Sequence, residues 1–112
     1  MSLERIIEAL VSLDLTRTDA EVYIYIAMKG PETARKISES LSISRRQIYR
    51  SLKNLQNIDI VLVNNEVPSE FSAISFERVV DILLEMKNNQ AKSLEENKAE
   101  LISDFLTEKK KS

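Results

Sequence analysis

Glycine occurs once and proline twice in this chain of 112 residues, and this scarcity constrains its fold more than any other feature. These two residues supply most of the tight turns between strands, so a chain with so few of them favours helices. A hydrophobic share of 43% and a charged share of 30% are typical of a globular protein of one-domain length. We therefore expect one compact unit of the mainly α (α+β) class.

The residue types that are missing exclude several chemistries. Cysteine and histidine are both absent, which excludes disulfides, thiol catalysis and Cys/His zinc sites. One glycine cannot build a glycine-rich phosphate loop, and no carboxylate is paired with a nucleophile in a recognisable motif. We therefore expect a protein that is not an enzyme and that holds no metal and no cofactor.

The hydropathy pattern argues against a membrane protein. No apolar run approaches the ~20 residues that a membrane span needs. The amino-terminal segment is amphipathic and carries Glu4 and Glu8, unlike a secretory leader. The expected compartment is the cytoplasm, with no membrane partner.

Charge is unevenly distributed along the chain. The formal net charge is −2, yet residues 29–53 hold seven Lys and Arg against two Glu, a net of +5. Residues 54–86 hold one Arg against six acidic side chains, a net of −5. Because the local field matters more than the total, the basic block is a candidate surface for a polyanion.

Apolar spacing and capping residues predict four helices in the first half. The first lies near 3–12, and the second begins after Thr18, which has Glu21 at capping-box spacing. The second helix is nearly all apolar, so it is the expected core helix, and Gly30-Pro31 ends it. Thr33 is the expected cap of a short third helix. Met28 and a later methionine, Met86, are expected to fill the core.

A three-residue link joins the third helix to a fourth, which Ser44 caps and which starts at Arg45. Asn57 is expected to end it in a left-handed conformation. At about 100° per residue, one side of this helix is apolar and must face the core, with Ile48, Leu52 and Leu55. The opposite side is cationic or polar, with Arg46, Arg50, Lys53 and Asn57, and its flanks hold Arg45, Gln47 and Tyr49.

Two β-rich segments, residues 60–63 and 71–74, follow and predict a hairpin. Ser75 is expected to cap one uninterrupted helix of about 35 residues, roughly 50 Å long, that reaches the carboxyl end. Its residues 80, 84, 87, 91, 94, 98, 101 and 105 follow alternating steps of four and three, the spacing of a coiled-coil seam. The alternative is a helix folded back on its own domain, which leaves the later apolar residues uncovered. We therefore expect a homodimer held by Leu84, Ala91, Leu94, Leu101, Ile102 and Phe105.

The helix pair with its short link predicts a helix-turn-helix, in which the first residues of the second helix reach base edges in the major groove. Arg45 and Arg46 suit guanine and Gln47 suits adenine. Arg50 and Lys53 are placed for phosphates or base edges. The start of the third helix offers Thr33, with Arg35 and Lys36, to a phosphate. Tyr49 either stacks on the sugar-phosphate backbone or half-packs against the neighbouring helix.

Several short motifs resemble the winged-helix domain of the TrmB-type transcriptional regulators of archaea. They are Leu15-Thr16, the run from Asp19 to Tyr23, Gly30-Pro31, Thr33-Ala34, and the run from Arg45 to Tyr49, and the resemblance covers about residues 13–86. It implies a winged helix-turn-helix domain over 1–76 with a two-stranded wing, and a long coiled-coil-like dimerisation helix over 77–112. It also implies Arg45, Arg46, Gln47 and Tyr49 as DNA readers and Thr33 as a phosphate contact.

This chain departs from the family pattern at two places. The wing carries Glu66 and Glu70 where the family usually has cations and glycine, so wing-to-phosphate contact is not expected. Larger members continue into a sugar-binding domain, whereas this chain ends after the long helix, so effector sensing by that route is expected to be absent. The residues indicate no small-molecule effector site.

The favoured hypothesis is a dimeric, sequence-specific regulator that binds double-stranded DNA, with two recognition helices on a pseudo-palindromic site. The alternative is a winged-helix adaptor that uses the same basic face for an acidic protein partner. The overall acidity and the two wing glutamates favour the adaptor. The row of Arg46 and Arg50 on one helix face favours DNA.

Overall fold

A computed structural model describes residues 2–112 of the chain. The described part contains six helices and three short strands, which confirms the mainly α class with a small sheet. In chain order the elements are α1 Leu3–Ser12, α2 Arg17–Lys29, β1 Glu32–Thr33, α3 Ala34–Leu41, α4 Arg45–Asn57, β2 Val61–Val63, β3 Glu70–Ala73, α5 Phe76–Glu96 and α6 Lys98–Lys111.

Helix α2 is the central core element, as its apolar sequence predicts. It packs against α1, α3, α4 and strand β3, and it buries a contiguous set of side chains, Ala20, Val22, Tyr23, Ile24 and Ile26. The hydroxyl of Tyr23 donates a 2.7 Å hydrogen bond to the Ile74 carbonyl oxygen. Burial raises the pKa of Tyr23, because it disfavours the phenolate. This hydroxyl ties the core helix to the segment between the sheet and α5.

The expectation that the two methionines fill the core is wrong. Met28 is 63% exposed and Met86 is 38% exposed. Met28 lies in the last turn of α2, where the helix has passed the packed interior. Met86 follows Leu83, the last buried residue of α5. Both lie where their helices leave the core, so the apolar character of methionine alone does not predict whether these side chains are buried.

Three of the four predicted caps are confirmed. The hydroxyls of Thr33, Ser44 and Ser75 each accept a hydrogen bond from the backbone N–H three residues later. The fourth prediction is wrong, because Thr16 and not Thr18 caps α2, its hydroxyl accepting from the Asp19 N–H at 3.0 Å. Both threonines have an acidic residue three positions on, so the capping pattern fits two starts. Leu15, buried just before the earlier start, holds the chain in the core there.

The left-handed end of α4 also lies elsewhere than predicted. Asn57 is the last helical residue, and Asp59 takes the positive φ of 61°. The N–H groups of Asp59 and Ile60 bond back to Gln56 and Leu55 at 3.0 and 2.9 Å, the pattern of a Schellman motif. This ending places Ile60 in the core beside α4, whereas a left-handed Asn57 would end the helix before that contact forms. Asp14 and Ser42 adopt the same conformation after α1 and α3.

The sheet contains the predicted hairpin and one further strand. Strands β2 and β3 pair antiparallel, with Val61 opposite Ala73 and Val63 opposite Phe71. The two-residue strand β1 pairs with the other edge of β3, with Glu32 opposite Phe71 and Thr33 opposite Glu70. The strand order is therefore β1-β3-β2. No strand pattern is detectable in two residues, so the sequence did not predict β1.

The predicted single terminal helix is interrupted at Asn97, which has φ −101° and ψ 7°. The side-chain amide of Asn97 donates to the Ser93 carbonyl at 2.9 Å, and such local bonding competes with regular helix. The backbone bonds from Asn97 to Ser93 and from Leu101 to Asn97 are still made, so the two segments follow each other closely. Helix α5 buries Val79 and Leu83, and α6 buries nothing.

Lys87, which the spacing assigns to the coiled-coil seam, instead contacts the body of the protein. Its ammonium donates to the Ser12 carbonyl at 3.1 Å and lies 3.5 Å from the Asp14 carboxylate. The molecule measures 56 × 29 × 28 Å overall. In residues 2–112, every helix is too short or too polar to span a bilayer.

Candidate nucleic-acid interface

Helix α4 has one buried side and one exposed side, as the projection predicts. Ile48, Leu52 and Leu55 are buried, and Ser51 is buried beside them. Contacts with α2, α3 and β2 hold this inner side. Because three elements fix the helix, the direction of its outer side chains is set by the core and not by a ligand.

The outer side of α4 presents cations to solvent. Arg45, Arg46, Arg50 and Lys53 are all exposed. Within residues 2–112 there are four ion pairs, which join Arg17 to Glu4, Arg35 to Glu39, Lys87 to Asp14 and Lys111 to Glu108. None of these includes a cation of α4. The positive charge of this face is therefore not neutralised by the described part of the chain.

One flank of α4 borders a groove that we call the wing groove. It has a volume of about 450 Å³ and separates α4 from the start of α3 and from the hairpin. Its lining residues are Thr33, Ala34, Arg35, Arg45, Tyr49, Pro68, Ser69 and Phe71. Four predicted site residues, Thr33, Arg35, Arg45 and Tyr49, thus line one surface.

The start of α3 lies at this groove. The Thr33 hydroxyl accepts from the Lys36 N–H at 3.2 Å, which leaves the earlier N–H groups of the first turn directed outward. Arg35 is bonded to Glu39 at 3.2 Å across one helical turn. Both partners of that pair are well exposed, so the pair is weak and exchangeable. Lys36 is exposed and makes no ion pair within the described residues.

The opposite flank of α4 borders a second groove, which we call the α2 groove. It lies between α4 and the start of α2 and is lined by Thr16, Thr18, Asp19, Gln47, Arg50, Ser51 and Asn54. Gln47 and Arg50 therefore lie on the other side of the helix from Arg45 and Tyr49. Arg46 and Lys53 fall between the two flanks at about 100° per residue, so α4 forms a ridge between two grooves.

The tip of the hairpin is a structured acidic turn. The side-chain oxygen of Asn64 accepts from the N–H groups of Glu66 and Glu70 at 3.1 and 2.9 Å. Both glutamates are exposed. Because Asn64 fixes the turn, the negative charge stays at the end of the hairpin and near the wing groove.

The structure places all ten predicted interface residues on α3, α4 and the residues that cap them. Thr33, Arg35, Arg45 and Tyr49 line the wing groove, and Gln47 and Arg50 line the α2 groove. Arg46 and Lys53 lie on the ridge between the grooves, and Lys36 and Ser44 line neither groove. The structure also adds Ser69 of the hairpin and Thr16, Thr18 and Asn54 of the α2 groove. Only Asn54 has a detectable sequence signal, its position on the polar side of α4. The others come close through tertiary packing.

A capped helix pair, a hairpin after the second helix and a cationic outer face together define a winged helix-turn-helix protein. The sequence carries the matching family signature, since residues 10–77 match the family described as the sugar-specific transcriptional regulator TrmB. The match covers more than half of the chain, and the protein belongs to this family. It is therefore a regulator of the DNA-binding class, and the family is one of transcriptional regulators rather than enzymes.

Solved structures with the same fold include three informative neighbours. TrmBL2, an archaeal chromatin protein with a novel mode of DNA binding, aligns with a TM-score of 0.78 and 17% identity, covering 96% of this chain and 42% of that one. The ST1889 protein of the archaeon Sulfolobus tokodaii aligns with a TM-score of 0.65 and 21% identity, covering 83% of this chain and 98% of that one. MepR, a regulator of the Staphylococcus aureus efflux pump MepA, aligns with a TM-score of 0.56 and 17% identity, covering 97% of this chain and 87% of that one.

At these identities the neighbours show the fold. No curated protein sequence matches this one. The family match and these structural neighbours confirm the winged-helix fold and the TrmB-type resemblance that the sequence predicts.

Proposed function

We propose that the protein is a dimeric, sequence-specific transcriptional regulator that inserts α4 into the major groove of double-stranded DNA. The observation that carries this proposal is the exposed cationic face of α4, which has no ion-pair partner within residues 2–112. A polyanion is the natural ligand of such a face, because phosphates supply the missing counter-charge. The helix-turn-helix context makes that polyanion a DNA duplex.

The start of α4 is assigned to base readout. Arg45, Arg46 and Gln47 occupy its first turn, which in this geometry lies deepest in the groove. An arginine fork pairs with guanine O6 and N7, and a glutamine amide pairs with adenine N6 and N7. Ser44 contributes as the cap that fixes the first turn, its hydroxyl accepting from the Gln47 N–H at 3.3 Å. Arg50 and Lys53, further along the ridge, contact phosphates or base edges.

The wing groove is assigned to one phosphate backbone. Thr33, Arg35 and Lys36 lie at the start of α3, where free N–H groups and the helix dipole favour an anion. Arg35 exchanges its exposed bond to Glu39 for the phosphate. Tyr49 is 55% exposed and lines the same groove, so its ring lies against the sugar-phosphate backbone.

Dimerisation is assigned to residues 77–112, with residues 1–76 as the DNA-binding domain. Leu84, Ala91, Leu94, Leu101, Ile102 and Phe105 are all exposed in the single chain. An apolar stripe of this length is unusual on a monomer. Two copies related by a two-fold axis present two α4 helices to half-sites about one helical turn, ~34 Å, apart.

The test begins with selection of bound duplexes from a random pool by the intact protein, in which an enriched palindrome is expected. The selected duplex is then titrated against Arg46→Ala combined with Arg50→Ala. We expect at least a ~30-fold loss of affinity, because each arginine that contacts a base contributes about 1–3 kcal/mol, so that the two together contribute at least about 2 kcal/mol. Arg17→Ala combined with Lys29→Ala removes the same charge from α2, at positions that line neither groove beside α4 and lie outside residues 77–112, and serves as the matched control.

Circular dichroism checks that the α4 variant keeps its helicity, which the exposure of both side chains leads us to expect. An equal loss of affinity in the α4 variant and the control would mean that binding depends on the total charge and not on its position. That result would refute base readout by α4. Unchanged binding in the α4 variant would remove this helix from the interface.

The acidic hairpin favours one alternative, an adaptor that binds an acidic protein through the same face of α4. Glu66 and Glu70 are exposed at the tip and repel a phosphate backbone. The two functions differ in the salt dependence of duplex binding. Several phosphate contacts require a steep linear fall of log affinity with log salt concentration, and a duplex affinity that is weak and nearly flat with salt supports the adaptor.

A further inference from the structure

We propose that Asp19 positions Arg50 for base readout. In the complex with DNA, one edge of the Arg50 guanidinium bonds to the Asp19 carboxylate in the α2 groove, and the other edge is directed at a guanine. The inference rests on the proposed function and deepens it, because it decides between the phosphate and base-edge roles of Arg50. Asp19 itself does not touch the duplex.

Asp19 is a charged residue that the core almost encloses. It is 5% exposed, and it is the one buried charged residue in the described part of the chain. Its backbone N–H donates to the Thr16 hydroxyl, but within residues 2–112 its carboxylate has no hydrogen bond and no ion pair. No fully enclosed polar side-chain atom of these residues lacks a partner, so both carboxylate oxygens open onto a groove. Because α2 is the core helix, this carboxylate is fixed in position.

The carboxylate borders two grooves, and the α2 groove offers the matching donor. This groove has a volume of about 200 Å³, and among the described residues Arg50 is the one cation that lines it. Arg50 is exposed and makes no ion pair there. The second groove lies between the end of α1, α4 and α5, and its cation is Lys87. The Lys87 ammonium already donates to the Ser12 carbonyl and lies beside the Asp14 carboxylate, so Arg50 is the partner for Asp19.

Contact with a duplex favours the pairing of Asp19 with Arg50. In the free protein an exposed arginine gains little from an ion pair, because water screens the attraction and holding the side chain costs entropy. A duplex that covers α4 excludes water from the groove, and a carboxylate that loses water without gaining a donor is costly. The Arg50 guanidinium supplies that donor, and its attraction to the carboxylate strengthens as water leaves. The pair therefore forms together with the complex.

The same carboxylate selects the DNA group that Arg50 contacts. A phosphate in the α2 groove would lie near the Asp19 carboxylate, and two negative charges in a small groove repel each other. A guanine edge presents the neutral acceptors O6 and N7. The guanidinium is planar and carries five donors, so it bonds a carboxylate and a base edge at the same time. Arg50 is therefore assigned to a base and not to the backbone.

The first test measures the affinity of Asp19→Asn for the duplex that the intact protein selects. The amide keeps the shape of the side chain, and the Thr16 cap depends on the backbone N–H of residue 19, so the fold is expected to be kept. We expect about a ten-fold loss of affinity, which is typical of a hydrogen bond to a charged group. Total charge alone predicts the opposite sign, because the substitution removes a negative charge beside the cationic face. A rise in affinity, or no change, overturns the proposal.

A double-mutant cycle with Arg50→Ala separates positioning from a structural role. In the Arg50→Ala background, Asp19→Asn is expected to cause no further loss, because the group that it orients is gone. In an Arg45→Ala background, on the opposite flank of α4, the ten-fold loss is expected to persist. A loss of equal size in every background would mean that Asp19 acts only through the stability of α2, and it overturns the proposal. Glu21→Gln removes the same charge from α2, lines neither groove beside α4, and is expected to leave the affinity unchanged.

Base discrimination supplies a measurement that does not depend on a variant of the buried residue. Arg50→Lys keeps the charge at an exposed position but has no planar fork. Duplexes substituted at each base pair of the selected site are titrated with this variant and with Arg50→Ala. Both variants are expected to lose discrimination at the same G·C pair, and Asp19→Asn is expected to relax that pair as well. A uniform loss over all positions is the behaviour of a phosphate contact and overturns the proposal.

The outcomes separate this inference from the proposed function. A wild-type protein that binds no duplex refutes both. Duplex binding that depends on Arg45 and Arg46 but not on Arg50 refutes this inference and leaves readout by α4 in place. Coupled losses in Asp19→Asn and Arg50→Ala, at one base pair, support both.

Discussion

Helices α4 and α6 are almost equal in length, 13 and 14 residues, but they present opposite surfaces to solvent. Helix α4 buries its apolar side in the body and exposes cations. Helix α6 buries nothing and exposes leucine, isoleucine and phenylalanine. Helix α4 packs its apolar side within the chain, whereas α6 leaves its apolar side exposed.

The difference indicates what kind of partner each surface takes. A charged face is stable in water, so a ligand can bind it and leave without exposing anything costly. An apolar stripe costs free energy for as long as it stays in water, about 25 cal/mol for each Å². We therefore associate α4 with a reversible ligand and α6 with a lasting protein contact.

The largest effect is expected from a substitution that weakens the packing of α4 on the core. Leu52→Ala removes a buried side chain from its inner side, and we expect the free energy of unfolding to fall by about 2–5 kcal/mol. Denaturant titration at several protein concentrations measures this loss, which is expected to be independent of concentration. Leu101→Ala on α6 is the matched variant, and its loss is expected only where the protein is dimeric. A concentration-independent loss in both would mean that α6 packs on its own body.

The second prediction removes α6 and the end of α5. Truncation after Asn89 keeps Val79, Leu83 and the Lys87 contacts with α1, so the body is expected to stay folded. Sedimentation is expected to show a monomer. Affinity for a duplex with two half-sites is expected to fall about 100-fold, because the two recognition helices are no longer linked. If the truncated protein is still a dimer, the association surface is α1 and not the removed segment.

The smallest expected effect concerns charge near α4. Glu66→Gln combined with Glu70→Gln removes two exposed negative charges from the hairpin tip, while Asn64 still bonds both backbone N–H groups. Duplex affinity at low salt is expected to rise several-fold, and the gain is expected to vanish at high salt because exposed charges are screened. Glu8→Gln combined with Glu21→Gln, on α1 and α2, is the control. A lower affinity in the hairpin variant would mean that these glutamates contact a partner directly.

The interface could be predicted from the sequence to the extent that it depends on near neighbours. Ser44 and Thr33 cap their helices, and the inner and outer sides of α4 follow from a repeat of 3.6 residues. The position of Arg45 and Gln47 on opposite flanks of α4 also follows from that repeat. Ser69 and Thr16 were not predictable as neighbours of this surface, because the chain brings them there only after folding.

Two errors have the same origin. Thr16 and Thr18 have equivalent capping patterns, and the burial of Leu15 decides between them. Asn57 and Asp59 are both able to adopt a left-handed conformation, and the position of Ile60 in the core selects Asp59. In each case the local pattern allowed two solutions, and a contact with the core selected one.

The sequence by itself determined the helical class, the hydroxyls that cap α3, α4 and α5, the basic outer face of α4 and the apolar stripe of the terminal helix. All of these depend on residue type and on spacing within a few turns. The tertiary structure alone decided that Glu32 and Thr33 pair with β3, that Lys87 turns from the stripe to α1, and which grooves flank α4. Those features join residues far apart in the chain, and their energies exist only once the core has brought the elements together.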